Sequence, residues 1–364
     1  MRSVHLASIL AMASLSALVL SAEPVKVIFD TDMVSDYDDV GALACLHAFA
    51  DEGRCEILAM ASCTRGNQSV AAVEVLNAFY GRPDIPVGCA KELGVVGVPG
   101  GDPARRGHEK YVRLAKDYAH WVKHPDSDGA PDANDVYRRA LAAAPDRSVV
   151  FCSVGFLTNL RRLLETGPDA ASPLGGRDLV ARKVRALYAM AGEYPQGREY
   201  NVYHDAASAK AVFAQWPTEI YISDFHLGRD TYSGRAAAER AYAYPNPVHD
   251  IFARCLPSRE ATHRPGAWDR EEGGHSSWDE LTVLAAVTGA ETHFRVVRGG
   301  LVVADDGSNT WSASANAGGA LQLDEARGFT RRRLGEILDE LIAREPKCRR
   351  RKAFSSESPD GLLP

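Results

Sequence analysis

The sequence predicts an α/β fold: a Rossmann-like, mostly parallel sheet flanked by helices, built as a single domain. Three observations predict it. Short β-branched runs alternate with amphipathic stretches along the chain, the pattern of parallel strands joined by crossover helices. The 364 residues, 45% hydrophobic, can bury one large core. A crowd of aspartates follows the first apolar strand, at the strand end where ligands collect in such sheets.

The elements follow in order. VKVIF gives a strand over 25–29, and a helix follows over 38–50. A strand over 56–61 leads to a helix over 69–80, and further helical patterns lie over 111–122 and 136–144. SVVFCS predicts a strand over 148–153 before a helix over 157–165; strands over 184–190 and 219–222 flank a helix over 206–215. THFRVVRGGLVVADDG (292–307) reads as a hairpin, with a last helix over 330–343. Loops at 94–107, 124–135 and 256–277 exceed what plain connection requires. The first of them is glycine-rich but does not spell GxGxxG, so no dinucleotide site is read there.

A formal charge of −6 without a basic cluster in the body of the chain argues against nucleic acid as a partner. The basic run KCRRRK opens a solvated tail, bounded at 346–364. At the other end, Arg2, the apolar stretch 6–20 and LSA before Glu23 form a signal peptide over 1–22. That span is too short for a membrane anchor, so export to the periplasm or exterior is expected, with no membrane association after cleavage. The catalytic domain is then 23–345. The seven cysteines are an odd number without CxxC pairs, which fits neither a disulfide framework nor structural zinc. Cys45, Cys63 and Cys152 read as small core residues.

In VIFDTDMVSDYDDVGA five aspartates fall between Asp30 and Asp39. Helix capping explains one or two of them, through Asp36, Asp38 or Asp39 at a first turn. A hard cation would reward the whole group, because it gathers several oxygen ligands. EF-hand spacing fails, since Gly41 or His47 falls where the twelfth-position Glu belongs. FDTDMV also fits the DxDx[TV] opening of haloacid-dehalogenase-like phosphatases, with Asp30 as nucleophile.

The longer pattern, DTD followed by a double aspartate that opens a helix, resembles the metal-binding start of the inosine–uridine-preferring nucleoside hydrolases. The spacer here is two residues longer than is common in that family, which leaves Asp36 without a counterpart. Further blocks match in order: RGNQSVAAVEVLNAFYGRPDIPVG, SVGFLTNL, GREYNVYHDAASAKAVF and SSWDELTVLAAVTG. The resemblance implies a Ca²⁺ held by Asp32, Asp39, Asp279 and the backbone carbonyl of Val154. It implies ribose contacts from Asp38, Asn67, Glu199 and Asn201. Asp32 would be the base that activates a Ca²⁺-bound water, and Asp30 would brace the loop. HD at 249–250 imitates a family motif but lacks its following helix, so His249 and Asp250 read as a helix face; Asp205 reads as a cap.

The implied reaction is hydrolysis of a ribonucleoside to ribose and free base, with a small-molecule nucleoside as partner and homo-oligomerisation left open. Trp278 replaces the His that many members carry before the last metal Asp. Indole is no acid, but it stacks on purines, and the purine-preferring branch has Trp there, so a purine nucleoside is expected. His108, Tyr111, Trp121, His263 and His275 are further candidates for the base pocket. Two alternatives stay open: a sugar- or nucleoside-binding relative without activity, for which the missing His leaves room, and the phosphatase.

Overall fold

The architecture was obtained as a computed structural model, which describes residues 23–34, 36–91, 95–96, 104–258, 274–315 and 318–348, with side chains 96, 104–108 and 257–258 left aside. The predicted leader and most of the basic tail lie outside these residues.

A central sheet of 8 strands runs through the molecule. In chain order they are β1 (Val25–Thr31), β2 (Cys55–Ser62), β3 (Val87–Cys89), β4 (Val149–Ser153), β5 (Val184–Met190), β6 (Glu219–Ser223), β7 (Phe294–Arg298) and β8 (Gly319–Leu323). Their spatial order is β7-β8-β6-β5-β4-β1-β2-β3, and every pairing is parallel except the antiparallel edge of β7 on β8. From β1 the chain first winds outward through β2 to β3, then returns and winds the other way through β4. The two halves part between β1 and β4, and a crevice opens at the carboxyl ends of strands where winding reverses. Asp30 lies opposite Ser153 there, so the aspartate run and the Val154 loop leave the sheet side by side.

Helices cover both faces. The ones used below are α1 (Asp38–Asp51), α2 (Ser69–Phe79), α3 (Ala104–Asp117), α4 (Ala133–Ala143), α5 (Thr158–Glu165), α6 (Ala206–Gln215), α7 (Pro247–Ser258), α8 (Trp278–Thr288) and α9 (Arg331–Ile342). Alternation along β1 sends Val27 and Phe29 into the core beneath α1, α2, α8 and α9. Ile28 faces the opposite core, beneath α4, α5 and α6. Six cysteines are buried, Cys45, Cys63 and Cys152 among them, and Cys348 is exposed. No helix among the described residues is long and apolar enough to cross a membrane.

Two expectations need correction, and two strands were not expected. The predicted hairpin does not form: β7 pairs with β8, whereas Gly300–Val303 pairs with Asn309–Ser312 in a separate small sheet. The turn at Gly299, with φ 131, redirects the chain between sheets. Helix α3 begins at Ala104, inside the expected loop, and ends before a 3₁₀ turn at Ala119–Trp121. The short strands β3 and β8 carry too little period-2 signal to be read from sequence.

Within the first core His47 is fully buried, 2.9 Å from Asn77 Oδ1 and stacked on Tyr80 at 4.6 Å. Burial pushes its imidazole from 6.5 down to about 3. The neutral ring therefore contributes stability that is fully present above pH 6.5 and lost as pH falls towards 3. His47→Gln should melt lower than wild type at pH 7, and the gap should narrow at pH 4.5; a gap independent of pH would contradict this.

Candidate metal and active site

The site is assembled by one sharp bend and two helix starts. After β1, Met33 adopts a left-handed φ of 49, a conformation uncommon for a non-glycine residue. The bend turns its amide back to donate to Asp39 Oδ1 at 3.2 Å, and the Thr31 hydroxyl donates to the same oxygen. Asp39 Oδ2 is buried and has no hydrogen-bond partner. Helix α1 opens at Asp38–Asp39 and α8 opens at Trp278–Asp279. The two openings meet: Asp38 Oδ2 accepts from the Asp279 amide at 3.2 Å. Asp38 thus caps the facing helix instead of its own, and both helix dipoles favour negative charge at one point.

Asp38, Asp39 and Asp279 are buried and can each present an oxygen within 4.8 Å of the others. Asp38, Asp36 and His275 form a second such group. Asp32 is outside the tight triad but electrostatically linked to it: burial first, then the Asp39 and Asp36 charges, raise its carboxyl well above the ordinary range. Burial followed by the Asp36 charge raises Asp39 to about 7, and burial followed by the Asp38 charge raises Asp279 strongly. Buried carboxylates in this number are unfavourable without a compensating cation or protons. An orphaned Asp39 oxygen and an all-oxygen donor set fit a hard divalent metal ion.

The remaining predicted residues form the surroundings. Gly155 packs so closely under the Asp32 backbone that a Cβ there would lie 2.7 Å from the Asp32 nitrogen, so only glycine lets the β4 loop approach. The Val154 carbonyl accepts from Asn201 Nδ2 at a long 3.3 Å and keeps a second lone pair. Asn201 also donates to the Met190 carbonyl at 3.2 Å. Glu199 caps the turn Tyr200–His204, taking amides of Asn201 (2.7 Å), Val202 (3.2 Å) and Gly192 (2.9 Å); burial raises its carboxyl to about 7. Asn67 is more an internal brace than expected. Its Oδ1 accepts from Ser69 and Ser127, and its Nδ2 donates to Thr64 Oγ1 at 2.9 Å.

Asp30, the nucleophile of the phosphatase alternative, is sealed: its Oδ2 accepts from the Tyr137 hydroxyl and from Asn159 at 2.8 Å. It braces the base of the site, as expected. Asp205 caps α6 through the Ser208 amide at 3.2 Å. His249 and Asp250 lie on α7, bonded to the Ala237 carbonyl and the Tyr118 hydroxyl. Trp278 is 8% exposed, with its indole N–H on the Phe225 carbonyl at 2.9 Å and its ring stacked on Phe225 at 5.6 Å.

Of the base-pocket candidates, Tyr111 donates to the Asp36 carbonyl at 2.7 Å, and Trp121 belongs to a packed aromatic group with Tyr118. The His108 side chain and His263 lie outside what is described. His275 does reach the acidic group. Sequence reasoning missed Lys110, a buried ammonium on α3 that acts on Asp36, Asp38 and Asp39. Only its place one residue before Tyr111 could have flagged it.

A parallel sheet with an oxygen-lined acidic group at its switch point defines the class, an α/β fold with an acidic group that could hold a metal ion. Residues 27–330 match the inosine-uridine preferring nucleoside hydrolase family, and the chain belongs to that family. It is a hydrolase acting on N-glycosyl compounds. Solved structures share the fold at low identity. A plant nucleoside hydrolase superposes with TM-score 0.63 at 18% identity, covering 88% of this chain and 99% of that one. An inosine-uridine preferring nucleoside hydrolase from Bacillus anthracis gives 0.62 at 14%, covering 87% and 99%. A purine-preferring ribonucleoside hydrolase from Gardnerella vaginalis gives 0.60 at 15%, covering 87% and 99%. No protein of curated function matches the sequence.

Carboxyls raised in the folded state contribute stability that is lost as pH rises through their folded values, here from about 4 towards 7 for Asp39 and Glu199. Chelator-treated protein should therefore melt progressively lower from pH 5 to pH 8. Saturating Ca²⁺ should reverse the slope, because its binding competes with protons. Parallel melting curves with and without Ca²⁺ across that range would contradict the assignment.

Proposed function

We propose that the chain hydrolyses the N-glycosidic bond of ribonucleosides, purine nucleosides foremost, in a Ca²⁺-dependent reaction. The observation that carries this reading is the convergence of Asp39 and Asp279, more than two hundred residues apart in sequence, within ligand distance of each other beside an orphaned buried oxygen. Asp32, Asp39, Asp279 and the Val154 carbonyl would hold the ion, and the oxygen-only set suits Ca²⁺ over softer metals. When bound, such an ion acidifies a water and orients the ribose diol.

The chain's own groups do the rest. The Asp32 carboxylate takes the proton of the attacking water, a contribution of about 10²–10⁴-fold. Asp38, with one oxygen anchored on the α8 amide, offers the other to a ribose hydroxyl. Asn67 keeps one amide hydrogen to direct at the sugar, whereas both Asn201 amide hydrogens go to the Val154 and Met190 carbonyls, so Asn201 would meet the sugar through its Oδ1. As the base departs, positive charge grows on the sugar ring, and Glu199, pre-oriented by three backbone amides, lies within electrostatic reach to favour it. Trp278, one face backed by Phe225, would stack on the purine and so ease the ring's uptake from solvent of the proton it needs to leave as the neutral base. The segment 1–22, read as a leader, would place the reaction outside the cytoplasm.

Release of reducing sugar from inosine, adenosine and uridine, with and without chelator, tests the reading directly. Sugar release that chelator abolishes and Ca²⁺ restores is expected. Nucleoside binding without turnover would contradict it. Asp32→Ala should lower kcat by at least about 10²-fold while the fold persists by circular dichroism; wild-type kcat would remove Asp32 as base. Trp278→Ala should lower kcat/KM for inosine by about five- to 150-fold, the equivalent of about 1–3 kcal/mol of stacking, and spare uridine. Equal losses on both substrates would remove the stacking role.

A further inference from the structure

We propose that Asp36, Asp38 and His275 form a second divalent-cation site beside the proposed Ca²⁺ site, sharing Asp38 with the acidic triad and suited to a transition-metal ion such as Mn²⁺. Each of the three residues can place a ligand atom within 4.8 Å of the other two. The donor set differs in kind from the first. An imidazole with two carboxylates suits Mn²⁺, Co²⁺ or Zn²⁺, whereas Ca²⁺ prefers oxygen alone.

The imidazole is fixed in place. His275 lies in Gly274–Ser276, paired antiparallel with Tyr232–Gly234, and is 2% exposed. Its ring stacks on Tyr37 at 4.1 Å and 20° and meets Trp278 edge-on at 6.0 Å. Tyr37 stands between Asp36 and Asp38 in sequence, so the stack brings both carboxylates to the imidazole. Asp36 is the residue that the longer spacer adds, and the metal-binding pattern of the first site leaves it unused.

A second observation points to a missing positive charge. Glu280, one residue beyond Asp279, is buried, and its Oε2 has no hydrogen-bond partner. Its charge acts on Asp38 and feels those of Asp36 and Asp39. Asp32, Asp36, Asp38, Asp39, Asp279 and Glu280 thus crowd one region in which Lys110 is a buried ammonium. One divalent ion together with Lys110 leaves a surplus of negative charge on the ionised group, which a second divalent ion offsets in competition with protons.

Cation stoichiometry on the full, metal-stripped chain, measured by isothermal titration with Ca²⁺ and separately with Mn²⁺, tests this. Wild type should bind one Ca²⁺ and two Mn²⁺. His275→Ala should bind one of either ion, and Asp36→Asn, which changes a less buried residue, should do the same should His275→Ala fail to fold. Asp279→Asn should lose Ca²⁺ yet keep one Mn²⁺, which separates failure of the first site from failure of the second. A single Mn²⁺ in wild type, or two retained in a folded His275→Ala or Asp36→Asn, would overturn the proposal.

Discussion

Mutual repulsion among buried carboxylates is the constraint around which this molecule is arranged. Asp32, Asp38, Asp39 and Asp279 are all held out of water, where like charges repel more strongly than in solvent. A chain has no reason to gather such groups for stability alone. What the fold supplies is a rigid frame that tolerates the cost until a cation is bound: the α1 and α8 starts point amides and dipoles at the group, and the Met33 bend and Thr31 fix one oxygen of Asp39. The remaining oxygen is left to a ligand.

The frame explains why distant parts of the chain matter to one point. Asp30 ties the end of β1 to Tyr137 and to Asn159 on α5, so the strand end cannot fray. Gly155 lets the β4 loop pass against Asp32, which brings the Val154 carbonyl to the same crevice. The Glu199 carboxylate organises the next turn, and through it Asn201 is aimed at that carbonyl. A mutation at any of these positions would act by moving an oxygen a fraction of an ångström, and metal and transition-state geometries are sensitive on that scale.

Much of this was legible in the sequence, for identifiable reasons. Strands β1 and β4 are apolar and β-branched, and amphipathic helical patterns alternate with the strand runs, so the parallel sheet could be read. DTD and DxDD carried the acidic group through their resemblance to the family's opening block, since the aspartates by themselves also fit capping and a phosphatase opening. The two ends of the sheet were less legible: β3 is too short for periodicity, β8 (GALQL) has no β-branched residue, and β7 leaves its expected partner because Gly299 redirects the chain. Asn67 was expected to face the sugar and proves mostly engaged in bracing Ser69 and Ser127, a tertiary preference that no local pattern records. The nearness of His275 to Asp36 depends on a ring stack between segments far apart in sequence, and Lys110 arrives on a helix expected to begin later.

A crystal structure of the chain soaked with Ca²⁺, with the ion located by its anomalous signal, tests the central claim most directly. The account predicts one ion about 2.3–2.6 Å from carboxylate oxygens of Asp32, Asp39 and Asp279 and from the Val154 carbonyl. An ion held without Asp32 or without Asp279, or a crevice that stays closed to Ca²⁺ at saturating concentration, would contradict it.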